Sequence, residues 1–200
     1  MLVPNKSPRS LWKTYLNKSS DTKISSQQNA QKKALKKFTK NRFSGNILGI
    51  DPSLRATGLA IISIRKSEEY RLIHSETIIN KPSLPMLDCL GEIHRHFQLV
   101  LQRYDIDQVA CEETIYVQNF QTAQILGAAR GAALGVISSC SIPISEYSPL
   151  RIKQAVVGYG RASKKQVSQT IKTFLQLTKT LEYDQSDACA VAICHALTGN

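Results

Sequence analysis

The stretch NILGIDPSLRATGLAII, residues 46–62, decides the fold. Four apolar or small residues precede Asp51, and Pro52 follows it. Asp and Pro are both unfavourable inside a strand, and Pro cannot donate a ladder hydrogen bond. The pattern therefore predicts a buried strand that ends at Asp51 and presents a carboxylate at its C-terminal end. An aspartate at such a position can also simply begin a turn.

The order of the elements that follow predicts an α/β domain. Residues 57–64 (TGLAIISI) and 70–79 (YRLIHSETII) continue the first strand as an antiparallel meander, and residues 106–113 (IDQVACEE) and 142–147 (IPISEY) form a fourth and a fifth strand. Helical periodicity or capping signals predict five helices. These span residues 85–104, 118–140, 148–157 and 163–177, and roughly Asp184–Leu197. We expect a five-stranded mixed sheet with helices on both faces.

Charge divides the chain into two parts. Residues 1–44 hold 11 Lys or Arg and one acid, whereas residues 45–200 hold 15 basic and 14 acidic residues. We therefore predict a basic extension over residues 1–44 and one folded domain over residues 45–200. Three interpretations of the extension stay open: a disordered segment, an arm that attracts phosphates and an organellar targeting peptide.

Composition argues against several classes of protein. No apolar run approaches the ~20 residues of a membrane span. The five cysteines are an odd number without paired zinc spacing, so we expect reduced core residues in a cytoplasmic protein.

The helix over residues 118–140 carries a strip of small residues. Gly127, Gly131 and Gly135 are four apart and share one helix face. Each costs about 1 kcal/mol relative to Ala inside a helix, so the strip predicts a close approach to another backbone. The domain's own sheet and a second subunit are the two candidates for that backbone.

Further acids are placed to join Asp51. Glu112 and Glu113 end the fourth strand, and Asp184 and Asp187 are three apart, on one face of the last helix. If the first and fourth strands are parallel neighbours, their terminal acids share one edge of the sheet, where ligand sites of α/β proteins lie. The helical pair alone could also serve only to complement the helix dipole.

Clustered carboxylates repel one another unless cations lie between them. Oxygen ligands of this kind suit Mg²⁺ or Mn²⁺. Two such ions about 4 Å apart can activate a water molecule and stabilise the leaving oxygen of a phosphodiester. The acids therefore predict metal-dependent phosphodiester hydrolysis.

Basic residues flank a glycine-containing loop, GYGRAS, at residues 158–163. They are Lys153, Arg161, Lys164 and Lys165. The loop precedes a helix N-terminus, which suits phosphate binding. These residues are candidate phosphate contacts, although Arg161 and Lys165 could equally be ordinary solvated surface.

Five motifs together resemble the RuvC family of Holliday-junction resolvases. They are ILGIDPSLRATG, VACEETIY, ILGAARGAALG, RIKQAVVGYGRASKKQV and DQSDACAVAICHAL, and they run in order across nearly all of residues 46–198. The resemblance implies a ribonuclease H-like fold, a homodimer, dependence on Mg²⁺ or Mn²⁺ with two ions in each site, and paired symmetric nicks in four-way DNA junctions. A branch-migration helicase complex is a further partner that the resemblance suggests.

The resemblance also implies residue roles. Asp51, Glu112, Asp184 and Asp187 correspond to the catalytic metal ligands, and Lys153 and Lys164 to residues that contact the junction backbone. The glycine-bearing helix corresponds to the dimer-forming helix of the family.

The chain departs from the family pattern in three ways, one of which is the basic extension over residues 1–44, absent from typical members. Ser53 and Leu54 stand where Gly and Ser are usual, and Ile115 stands where an aromatic residue wedges into the junction. Tyr116 is the candidate for that wedge. Two other functions remain to be distinguished: a nuclease of the same fold that acts on RNA, and a structure-specific DNA-binding protein that does not cut.

Overall fold

The computed structural model describes residues 43–65, 69–114 and 118–199. Nearly all of the basic extension, residues 1–42, lies outside these ranges, as does Tyr116, so the predictions made for them stay predictions. In the described ranges no helix is both long enough and apolar enough to cross a membrane.

The described residues form the α/β architecture that the sequence predicts. The strands are β1 Gly45–Asp51, β2 Ala56–Ile64, β3 Tyr70–Ile79, β4 Gln108–Glu112 and β5 Ile144–Tyr147. The helices are α1 Met86–Arg103, α2 Phe120–Ser139, α3 Pro149–Val157, α4 Lys164–Phe174 and α5 Tyr183–Thr198. Ser148 caps α3 and Ser163 forms a capping box with Gln166 at the start of α4, as predicted.

The sheet has the strand order β3-β2-β1-β4-β5. The first three strands pair antiparallel as a meander, whereas β1 and β4, and β4 and β5, are parallel. Ile50 lies opposite Cys111 in the β1–β4 ladder, so Asp51 and Glu112 occupy the next position at the same edge of the sheet. The predicted mixed topology is confirmed, and it places two acids side by side.

Helices cover both faces of the sheet. Leu48 and Ile50 belong to a buried cluster with α1 and α2, whereas Ile47 and Ala110 belong to a cluster with α3, α4 and α5. Because side chains alternate between the two faces of a strand, the Asp51 side chain points to the α5 side. Glu112, two residues after Ala110, points the same way.

Two glycines allow α5 to lie directly on the sheet. A Cβ atom added at Gly49 would lie 2.1 Å from the Ala188 carbonyl oxygen, and one added at Gly58 would lie 2.1 Å from the Asp184 carbonyl oxygen. No larger residue fits at either position without moving the helix. Gly58 is also the partner of Asp51 in the β1–β2 ladder, so this close approach brings the start of α5 to the end of β1.

The glycine strip of α2 faces outward. Cβ atoms added at Gly127, Gly131 or Gly135 would have no described atom within 4 Å, whereas Ala129 and Ala133 are fully buried against the sheet. The interpretation that the strip packs on its own sheet is therefore wrong. A second subunit is the remaining candidate for the backbone that meets the strip, and this stays a prediction.

The cysteines are free thiols, and most of them lie in the core. Four are buried, at positions 89, 111, 189 and 194. Cys140 is exposed, so the expectation of a core residue was wrong there. It follows the last residue of α2, where the chain turns toward β5 and leaves the core.

Candidate active site

Four acids meet where β1, β4 and α5 converge. Asp51 and Glu112 are the last residues of β1 and β4. Asp184 and Asp187 lie in the first two turns of α5, three residues apart on one face. The backbone of Asp184 packs against Gly58, directly beside Asp51. The structure therefore brings the four predicted acids to the same edge of the sheet.

Electrostatics show that the acids act on one another. Burial, together with the negative charges of Asp187 and Asp184, raises the pKa of Asp51 to about 6, although the positive charge of Lys164 acts to lower it. Burial likewise raises the pKa of Glu112 to about 7, with Asp51 and Asp187 next in importance. These carboxyl groups therefore hold protons at a pH where free carboxylates have lost them, and a cation would replace those protons.

Lys164 supplies a positive charge beside the cluster. Its Nζ atom lies 3.1 Å from Asp187 Oδ2, and the Asp187 side chain is only 16% exposed. Burial works to lower the pKa of Lys164, but the hydrogen bond and the charge of Asp187 outweigh it, so the pKa is raised. Lys153, on α3, lowers the pKa of Glu112. Both lysines therefore lie near the acids.

The site thus combines mutually repelling carboxylates with a neighbouring ammonium group, at the C-terminal ends of two parallel strands. The family model for the crossover junction endodeoxyribonuclease RuvC matches residues 47–195, a range that includes all four acids. The chain belongs to the RuvC family.

Individual relatives agree with this assignment. A RuvC from Alkaliphilus oremlandii (strain OhILAs) is 41% identical over 155 residues, covering 77% of this chain and 94% of its own. A RuvC from Geotalea uraniireducens (strain Rf4) is 44% identical, covering 75% and 87%. The structure of T. thermophilus RuvC in complex with Holliday junction substrate is 30% identical, covers 76% of this chain and 93% of its own, and superimposes with a TM-score of 0.71. The ribonuclease H-like fold predicted from the sequence is confirmed.

The turn that follows Asp51 is held without the glycine usual in RuvC proteins. The Thr57 hydroxyl accepts from the Ser53 amide at 3.2 Å and donates to the Ser53 carbonyl. The side-chain amide of buried Asn80 donates to the Leu54 carbonyl at 2.8 Å, and the Leu54 side chain enters the core. Neither Ser53 nor Leu54 adopts a positive φ, so the departure from the family pattern leaves the backbone beside Asp51 unstrained.

The remaining basic candidates lie further out. Arg161 and Lys165 are exposed, and within the described ranges neither forms a hydrogen bond or an ion pair. Their position beside the start of α4 suits either phosphate contacts or a solvated surface, so both interpretations stay open.

Sequence reasoning missed Arg130 of α2. Its guanidinium donates to the Glu112 carbonyl at 2.6 Å and to Cys111 Sγ at 3.2 Å, and it pairs with Glu146 at 2.6 Å. A signal for it exists, because Arg130 is the only charged residue among residues 114–145. A lone charge within an apolar helix predicts a buried partner.

Proposed function

We propose that Asp51, Glu112, Asp184 and Asp187 are the metal-binding acids with which this crossover junction endodeoxyribonuclease hydrolyses phosphodiester bonds. Its substrate is a four-way DNA junction, in which it nicks two opposing strands symmetrically. The observation that carries the proposal is the convergence of four acids, two of them with strongly raised pKa values, at the edge shared by β1 and β4.

The donor set fits hard divalent cations. RuvC nucleases are metal-dependent, and carboxylate oxygens that raise one another's pKa are suited to Mg²⁺ or Mn²⁺. The Lys164 ammonium group beside Asp187 shows that this position already attracts positive charge. Among the described side chains, no three acidic, histidine or cysteine residues converge tightly enough to enclose an ion. A metal ion held by Asp187 would take the place of the Lys164 ammonium group there.

The acids would share two ions. Asp51, Glu112 and Asp187 would hold them, and Asp184 would hold a metal or orient the attacking water. When bound, the ions supply an activated water and stabilisation of the leaving oxygen. Because the acids are partly buried, less water screens them, and their electrostatic attraction for a cation is stronger.

DNA contacts would come from the basic residues around the start of α4. Lys164, once released from Asp187, and Lys153 lie close enough to the acids to hold the phosphate that is cut. Arg161 and Lys165 would contact the backbone further along, and Tyr116 would wedge into the junction. Such phosphate contacts position the DNA without reading its sequence. A branch-migration motor is a further proposed partner.

A synthetic junction tests the proposal. Four labelled strands are annealed, incubated with the full chain and Mg²⁺, and resolved on a denaturing gel. We expect nicks at symmetric positions in two opposing strands, and none when Mg²⁺ is chelated. Faster cutting of an RNA–DNA hybrid would favour the RNA nuclease, and binding of the junction without any metal-dependent nick would favour a non-cutting DNA-binding protein.

We further propose that the outward glycine strip of α2 is the contact between two copies of the chain. Glycines at this face allow two helix backbones to approach closely, and paired nicks require two active sites. Gly131→Glu should convert the dimer to a monomer in light scattering, because its side chain would fill the contact. Gly91→Glu, on the surface of α1 and equally free of neighbours, is the matched control.

Neither change should weaken the fold, since Glu is the better helix former by up to ~1 kcal/mol. A wild-type chain that is monomeric at assay concentrations, or a Gly131→Glu variant that stays dimeric, would place the contact elsewhere.

A further inference from the structure

Arg130 reaches the active site from behind the sheet. It lies on α2, packed on the face opposite α5, and its side chain is only 14% exposed. The guanidinium spans three elements, because it is anchored in α2, donates to the backbone at the end of β4 and pairs with Glu146 of β5.

Arg130 contacts the peptide group that joins Glu112 to Glu113. Its carbonyl oxygen accepts from Arg130 Nη1 at 2.6 Å, and its amide, that of Glu113, donates to the Tyr147 carbonyl at 2.9 Å. Both polar ends of this peptide are therefore held, one by a charged donor, which gives the stronger kind of hydrogen bond. Glu112 is the last residue of β4, so without Arg130 this peptide would keep only the Glu113 amide bond to Tyr147 and the weak donor Cys111 Sγ at 3.4 Å.

We propose that Arg130 is a positioning residue for the Glu112 carboxylate. By fixing the peptide that leaves Glu112, it fixes the direction in which the side chain emerges on the α5 face, toward Asp51 and Asp187. The inference rests on the proposed role of Glu112 as a metal ligand. Glu146, half exposed at 48%, pairs with the other side of the guanidinium.

Two substitutions separate the carbonyl contact from the ion pair. Arg130→Lys keeps a positive charge opposite Glu146, but a single ammonium group lacks the planar fork that serves both partners. Glu146→Gln removes the ion pair and leaves the arginine able to donate to the Glu112 carbonyl. If positioning is the function, Arg130→Lys should be the more damaging change although it conserves charge.

The test measures metal binding as well as cleavage. In Arg130→Lys we expect Mn²⁺ affinity, by calorimetry on the metal-free protein, to fall about tenfold, and the rate of junction cleavage at saturating metal to fall about tenfold. Junction affinity should stay within twofold. Hydrogen exchange at the Glu113 amide should accelerate while the rest of the sheet stays protected. Glu146→Gln should change both affinity and rate by less than threefold.

The outcomes are distinguishable. A purely structural role would lower the melting temperature and the active fraction, with Mn²⁺ affinity and Glu113 exchange unchanged, and would overturn the proposal. Equal losses in both variants would assign the effect to the ion pair and also overturn it. Glu112→Gln is the reference: if it binds Mn²⁺ and cuts as wild type does, the proposed function itself fails. If it loses both and Arg130→Lys loses neither, only the role of Arg130 fails.

Discussion

Asp51→Asn is expected to abolish junction cleavage, by about 1,000-fold or more, and to leave junction binding within about threefold. Asn has the shape of Asp, so it fits beside Gly58 and the start of α5 without displacing them. It lacks the negative charge that would hold cations at the centre of the cluster. The rate is measured by strand resolution on denaturing gels and the affinity by gel shift in Ca²⁺.

The same substitution should stabilise the metal-free protein at alkaline pH. The pKa of Asp51 is raised to about 6 in the fold from an unfolded value of 3.8, so the folded state binds more protons between these values and loses stability as pH rises through them. Asp51→Asn removes that loss. In urea unfolding at pH 8, we expect the free energy of unfolding of the variant to exceed that of wild type by about 1–3 kcal/mol. Near pH 4 the two free energies should be equal.

Glu113→Gln is the matched control for both measurements. Glu113 adjoins Glu112 but is exposed, so its loss should alter neither cleavage nor the pH dependence of stability. If the Asp51→Asn variant nicks at the wild-type rate, Asp51 is not a catalytic residue. One that fails to bind the junction would make it a binding residue, and one no more stable than wild type at pH 8 would contradict the charge repulsion argued here.

Much of the fold and the acid cluster is predictable because the relevant signals are local. An apolar run that ends in Asp51 or Glu112 marks a strand and its C-terminal edge within a few residues. The capping pair Ser163 and Gln166 marks a helix start in the same way. Parallel pairing of β1 and β4 then brings distant acids together by topology alone.

The features that sequence reasoning missed depend on contacts between distant segments. Small residues occupy both faces of α2, Ala129 and Ala133 inward and Gly131 outward, so composition does not reveal which face meets the sheet. Arg130 acquires its meaning only when α2 docks behind β4. Lys164 was expected on DNA, but its ion pair with Asp187 becomes visible only once α4 and α5 are packed together.

Gly58→Ala is expected to damage both the packing of α5 on the sheet and the position of the acid pair that α5 carries. The added Cβ would lie 2.1 Å from the Asp184 carbonyl oxygen and 2.6 Å from its carbonyl carbon, both backbone atoms that cannot rotate away. Either α5 lifts from the sheet or β2 bends. We expect the free energy of unfolding to fall by about 2–4 kcal/mol and cleavage to fall by about 100-fold, because a shift near 1 Å misplaces Asp184 and Asp187 together.

The control adds the same methyl group where the structure has room for it. Gly91→Ala lies on the surface of α1 with no described atom within 4 Å, and it should raise the free energy of unfolding by about 0.5–1 kcal/mol because Ala favours the helix. Urea unfolding and junction cleavage are measured on both variants. Since Gly58 contacts α5 at the residue that begins the acid pair, a Gly58→Ala protein that is destabilised yet cuts normally would show that the helix adjusts without moving Asp184. That result would mean that the close approach of α5 to the sheet contributes to stability but does not set the catalytic geometry.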